Sequence, residues 1–172
     1  MNSIIVSHES DVDGVFSASI ALMRYPQSKL VFSSYGKDNF LRISDLIYKE
    51  VVSTQGNGLV IFTDLGLNDE SISSISDIFN FLMSNSWSVL WIDHHPWSEG
   101  ALDLFNKDKD RRLVLDRGGN KCASELMYEH LLFENNNRWP FHAGNIANSM
   151  RAGVGSRQSA VGSREVEAAN NQ

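Results

Sequence analysis

The sequence holds a single cysteine, Cys122, in 172 residues. One thiol excludes an internal disulfide and a cysteine-built zinc site, and it suits a reducing, cytoplasmic location. No apolar run reaches transmembrane length. The N-terminal stretch Ile4-Ile5-Val6 is closed at once by His8 and Glu9 and is too short for a signal peptide, so no membrane partner is expected. A basic excess is missing too: the net charge is -6, which argues against non-specific binding of duplex DNA through a basic face. No G-x-G-x-x-G follows the first apolar run and no G-x-x-x-x-G-K-[ST] occurs, so neither a dinucleotide-binding module nor a P-loop is expected. There is no internal repeat.

What is present is ordinary in bulk and specific in pattern. The hydrophobic fraction is 42% and the charged fraction 21%, as in a soluble globular domain with one core. Short apolar runs alternate with helical periods. The runs are Ile4-Ile5-Val6, Leu30-Val31-Phe32, Leu59 to Phe62, Val89 to Ile92 and Leu113-Val114-Leu115. Their brevity and near-continuous apolar character predict strands buried on both faces of a parallel sheet. Between them, Val15 to Met23, Phe40 to Val51, Ile72 to Met83 and Ala123 to Leu131 carry apolar residues at three- and four-residue steps. Asn68 is the expected N-cap of the third helix, and Gly118-Gly119-Asn120 is expected to open the fourth. The predicted fold is α/β: a doubly wound, mainly parallel five-stranded sheet with helices on both faces. It spans residues 1–134. Residues 135–172 are polar and aperiodic and read as a poorly ordered tail or the mark of a truncated reading frame.

In an open α/β sheet, ligands bind beyond the carboxyl ends of the strands. The first run is followed by His8, Asp11, Asp13 and Gly14, the third by Asp64, and the fourth by Asp93-His94-His95 and Pro96. One edge of the sheet therefore gathers carboxylates and imidazoles. Two carboxylates about 4 Å apart repel by roughly 4 kcal/mol at an effective dielectric near 20. No lysine or arginine lies within these three segments, so divalent metal is the expected counter-charge. The donors exceed the needs of one ion and favour a two-metal site with Asp64 as the bridge. Singly, each residue has a plainer reading: Asp11 and Asp13 as helix caps, Asp64 as a turn former, His8 as a loop histidine.

Together these residues resemble the DHH phosphoesterases. His8 with Asp11-Val12-Asp13-Gly14 is similar to the family's first motif, Asp64 to its second and Asp93-His94-His95-Pro96 to its third. Gly118 to Leu126 resembles the segment opening the next helix, and the likeness covers roughly residues 1–133. The resemblance implies hydrolysis of phosphodiester or phosphomonoester bonds through a water activated by two divalent ions. Manganese is the leading ion, with magnesium and cobalt as alternatives. It implies that His8, Asp11 and Asp64 hold one ion and that Asp13, Asp64 and His94 hold the other. His95 would face the substrate phosphate, and Asp93 would orient an imidazole from behind. The implied substrate is a nucleotide or a short single-stranded oligonucleotide.

The chain departs from the family in two ways. Glu9 and Ser10 separate His8 from the Asp-x-Asp-Gly run, and the family's fourth-motif aspartate has no counterpart, since no aspartate follows Asp116. An incomplete site that binds metal or nucleotide without turnover is therefore the alternative. A receiver domain is disfavoured, because Asp93-His94-His95 stands where receivers place Ser or Thr. Arg117 and Lys121 flank Gly118-Gly119 and are candidate phosphate contacts, through backbone N–H groups at a helix start. The plainer and favoured reading there is a turn with solvated charges. Trp97 is left open between stacking a base and packing.

Overall fold

Each expected apolar run falls within a strand. The strands are β1 Asn2–His8, β2 Lys29–Ser33, β3 Gly58–Thr63, β4 Trp87–Asp93 and β5 Arg111–Leu115. The intervening helices are α1 Val12–Arg24, α2 Lys37–Ser53, α3 Ile72–Ser84, α4 Glu99–Leu102 and α5 Ala123–Tyr128. A π-type turn, Glu129–Phe133, continues α5. The structure, a computed structural model, describes residues 1–106 and 109–133. The polar stretch from 135 to 172 lies outside the described residues.

All neighbouring strands run parallel in the order β2-β1-β3-β4-β5. The sheet is thus doubly wound as expected, and its winding reverses between β1 and β3. Parallel pairing places every carboxyl end on the same edge. The ends are nearly level: His8 pairs with Ser33, Ser7 with Thr63, Thr63 with Ile92, and Asp93 with Leu115. Burial on both faces holds for the central strands β3 and β4, which are buried throughout. It does not hold for β2 and β5, which are partly exposed. Among the described residues they are the edge strands, with a neighbour on one side only.

Alternation along the strands builds two apolar layers. Ile4, Val6, Val60, Phe62, Val89 and Trp91 form a cluster with α2 (Phe40, Ile43, Ile47, Val51) and α3 (Ile75, Ile78, Phe79, Leu82). Trp91 stacks on Phe62 with ring centroids 4.3 Å apart, and its indole N–H donates to the Leu65 carbonyl at 2.9 Å. On the other face, α1 and α5 pack against each other and against the sheet. The buried side of α1 is made of Gly14, Ser17, Ala18 and Ala21. Such small residues let its backbone come close.

Two local expectations are corrected, and one short helix was not foreseen. Asn68 precedes a 3₁₀ turn, Asp69–Ser71, rather than α3, and its side chain accepts from the Ser71 hydroxyl at 2.8 Å. Gly118-Gly119-Asn120 forms a turn ahead of α5, whose N-cap is Cys122. The four-residue α4, capped by Ser98, is too short to leave a periodic stripe in the sequence.

Gly14 is where α1 meets β1. A Cβ there would lie 2.3 Å from the His8 carbonyl oxygen. That obstacle is backbone, so relief requires α1 to shift. Gly14→Ala is expected to destabilise the protein by about 2–3 kcal/mol. The effect should read as a lower urea midpoint with an unchanged slope.

Candidate metal centre

Four loops at the carboxyl edge supply the site. His8 is the last residue of β1 and is 5% exposed. Its Nδ1 lies 3.1 Å from Asp11 Oδ2 and 3.8 Å from Asp64 Oδ2. Asp11 is the N-cap of α1, its other oxygen accepting the Gly14 N–H at 2.9 Å. That N–H holds the Asp11 carboxyl below its usual range, against the smaller pull of burial. The cap reading and the site reading of Asp11 thus hold at once, one oxygen for each.

Asp64 follows β3 directly, with a φ of 55°. A residue with a Cβ pays roughly 1 kcal/mol or more for that left-handed backbone. The conformation is locked by its own N–H, which donates to the Ile92 carbonyl at 3.0 Å. Asp64 is fully buried, and neither carboxylate oxygen has a hydrogen-bond partner. Oδ1 lies 3.3 Å from His94 Nε2 and 4.0 Å from His95 Nδ1. Burial first, and then the charges of Asp13 and Asp11, push its pKa up to about 8.

Asp93 ends β4 and is as deeply buried, but it is fully engaged. Oδ1 is 2.7 Å from His95 Nδ1, and Oδ2 accepts the Trp97 indole N–H at 2.6 Å. The bond to Asp93 raises the pKa of His95, against burial. Asp93 thus stands against the imidazole of His95. Trp97 turns out to be a packing residue: its ring meets Trp91 and Phe105 edge-on, with centroids 5.1 and 5.7 Å away.

Asp13 reaches the site from the first turn of α1, with Oδ2 3.5 Å from His94 Nε2. It also caps α5 across the fold, accepting the N–H of Ala123 at 2.7 Å and of Ser124 at 2.8 Å. Burial works against its charge, but the bonds from Ser124 and Ala123 outweigh it and keep the carboxyl below its usual range.

The structure therefore gathers His8, Asp11, Asp13, Asp64, Asp93, His94 and His95. Two groups can each offer donor atoms within 4.8 Å of one another: His8, Asp11 and Asp64, and Asp64, His94 and His95. Asp64 belongs to both. The first group is the three residues expected to hold one ion; the second joins Asp64 with His94 and His95, and Asp13 stands beside it with Oδ2 3.5 Å from His94 Nε2. The described ion pairs of these carboxylates are all with histidine. A buried carboxylate with two free oxygens between imidazoles is the arrangement that a divalent cation satisfies.

Arg117 and Lys121 are not part of the gathering. Lys121 donates to Glu129 at 2.6 Å, and Arg117 lines a groove on the flank of β5 with Arg111, Arg112, Leu115 and Glu99. The favoured reading of a turn describes this segment, and its backbone donors are taken by protein: Asp116 accepts the N–H groups of Gly118, Asn120 and Lys121 at 2.9, 2.7 and 2.7 Å.

One residue at the site escaped the sequence reading. Tyr35, two residues beyond β2, places its hydroxyl 3.1 Å from His95 Nε2 and 3.4 Å from His8 Nδ1. Its ring lies against that of His8 at 4.4 Å. Burial, followed by the charge of Asp64, raises its pKa to about 12. The available signal was its position after a strand end, the criterion that found the other residues; β2 lacked an acid or imidazole to draw notice.

A doubly wound domain with such donors at its winding reversal falls in the class of α/β domains equipped for divalent cations. The chain belongs to the DHH family: the family's N-terminal domain matches residues 2–154. That family is one of divalent-metal-dependent phosphoesterases in general. A search of curated proteins gives no match. Among solved structures the chain is similar to an uncharacterized protein from Helicobacter pylori G27, with a TM-score of 0.59 and 19% sequence identity. The similarity covers 78% of this chain and 37% of the other, so this chain spans well under half the length of that protein. At that identity the likeness speaks for the fold alone.

Proposed function

We propose that this chain carries the metal centre of a phosphoesterase that hydrolyses phosphodiester or phosphomonoester bonds in nucleotides or short single-stranded oligonucleotides. The observation carrying the proposal is Asp64, buried, with both oxygens unpartnered and imidazoles on either side. Two divalent ions, manganese before magnesium or cobalt, would be held by His8, Asp11 and Asp64 and by Asp64, His94 and Asp13. When bound, such ions polarise a phosphoryl oxygen and lower the pKa of an attacking water.

The remaining roles belong to the chain. Asp93 fixes the ring of His95 through Nδ1. His95, 30% exposed at its side chain, would meet a phosphate oxygen. Asp13 ties the site to the start of α5, so that helix moves with the donors. Among the described residues no helix is long and apolar enough to cross a membrane. The lone Cys122 fits a reducing compartment.

The direct test supplies manganese to the purified protein with a dinucleotide and with a nitrophenyl phosphodiester. Manganese-dependent turnover is expected, falling at least about 100-fold in His94→Ala. Absence of turnover on both substrates, or equal rates for the two proteins, would remove the reading.

A second reading is a domain that binds metal or nucleotide without cleaving it: among the described residues the Asp64 centre draws its carboxylates from the carboxyl-end segments of β1, β3 and β4 alone. Calorimetric titration separates the two. Two tightly held manganese ions per chain speak for the first, and one weakly held ion without turnover for the second.

A further inference from the structure

Tyr35 joins two histidines that come from different strands. The parallel pairing of β1 with β2 sets Ser33 beside His8. The chain leaving β2 therefore passes over the mouth of the centre. There the Tyr35 ring covers the His8 imidazole at 4.4 Å and meets the His95 imidazole edge-on at 5.4 Å.

The hydrogen-bond chemistry assigns directions. The Asp93 carboxylate has only acceptors to offer, so His95 Nδ1, 2.7 Å away, carries the proton. Nε2 bonds the Tyr35 hydroxyl at 3.1 Å in either state of the ring, accepting from it when neutral and donating to it when protonated, and a protonated Nε2 can share its N–H with a phosphate oxygen. The imidazole is gripped at both nitrogens, from β4 on one side and from the loop after β2 on the other. Without the hydroxyl, the bond to Asp93 alone would still allow the ring to swing about its Nδ1 side. A ring held at one point meets an incoming phosphate in several orientations. One held at two points meets it in one, and orientation of that kind contributes to rate more than to binding.

We propose that Tyr35 is a positioning residue, whose hydroxyl fixes the imidazole of His95 from the side opposite Asp93. The proposal rests on the phosphoesterase reading for its effect on rate, but not for the pairing itself. Tyr35→Phe is the informative variant, because it removes one oxygen and keeps the ring against His8.

The test has two arms. In metal-free protein, the imidazole nitrogen signals of His95 are recorded by NMR, assigned by their loss in His95→Gln. The Nε2 signal is expected to move in Tyr35→Phe, while the thermal midpoint stays within a few degrees. In the manganese-loaded protein, kcat on the nitrophenyl phosphodiester is expected to fall about tenfold, with KM within twofold and manganese affinity unchanged. An unmoved Nε2 signal overturns the proposal, whatever the rates do. A moved signal with unaltered kcat overturns the positioning role. If wild-type protein shows no turnover, the phosphoesterase reading fails, and the NMR arm alone still decides whether Tyr35 holds His95.

Discussion

Asp64→Asn is expected to abolish manganese-dependent hydrolysis, by about 1,000-fold or more, and at the same time to stabilise the metal-free protein. The two effects share one cause. Asp64 sits in both donor groups of the site, so losing its charge weakens both. In the metal-free fold that charge has no hydrogen-bond partner and is fully buried. Its pKa lies at about 8, against an ordinary 3.8. Between those values the folded state binds a proton that the unfolded state has released. Stability must therefore fall as pH rises through this window, by up to about 1.4 kcal/mol per pH unit. Asparagine carries no charge and removes that slope. Urea denaturation of metal-free protein between pH 5 and pH 9 should show the wild type losing stability with rising pH more steeply than the variant, in which the raised pKa of His95 still contributes a slope. Manganese should raise the wild-type melting temperature and leave that of the variant unchanged. A variant less stable than wild type at pH 9, or a manganese shift retained in it, would contradict the assignment.

The same substitution at the other buried aspartate should have the opposite sign. Asp93→Asn is expected to destabilise the fold by about 2–3 kcal/mol, and Asp93→Ala by about 3–5 kcal/mol. Asp93 is as buried as Asp64, yet both its oxygens are engaged, by His95 Nδ1 and by the Trp97 indole N–H. An amide keeps one acceptor and offers a donor where Trp97 already donates, so one bond is lost and two donors face each other. Alanine strands both partners, and Trp97 belongs to the aromatic group around Trp91 and Phe105. Turnover should also fall by about 10- to 100-fold, as expected for a carboxylate that orients an imidazole at a metal site. Denaturation curves at pH 7 for the two asparagine variants, run side by side in the absence of metal, give the comparison. Shifts of the same sign would show that the contrast between a bare carboxylate and a partnered one is misread.

Much of the site was legible because it follows strand ends. A buried strand is a short apolar run, and the first polar residues after it occupy the carboxyl edge. In a parallel sheet all such edges coincide, so His8, Asp11, Asp64 and Asp93-His94-His95 were bound to converge once five parallel strands were expected. The alternatives that the sequence left open have a common character. Arg117 and Lys121 stand near a helix start, but Asp116 and Asp13 take the backbone donors there, and the partner of Lys121 is Glu129. Trp97 lies next to the motif in sequence, but its ring turns inward to Trp91.

The sequence by itself determined the α/β class, the edge where the chemistry lies and the acids and imidazoles that gather on it. These follow from apolar periodicity and from which residue types end each run, both local properties. Only the tertiary structure decided what each side chain does there. It left the Asp64 oxygens bare, gave both Asp93 oxygens to His95 and Trp97, tied Asp13 to residues 110 and 111 positions away, and laid Tyr35 over His8 and His95. The physical reason is range. A hydrogen bond or a desolvated charge is settled within about 3–4 Å, and which groups come that close depends on strand order and register, not on neighbours along the chain.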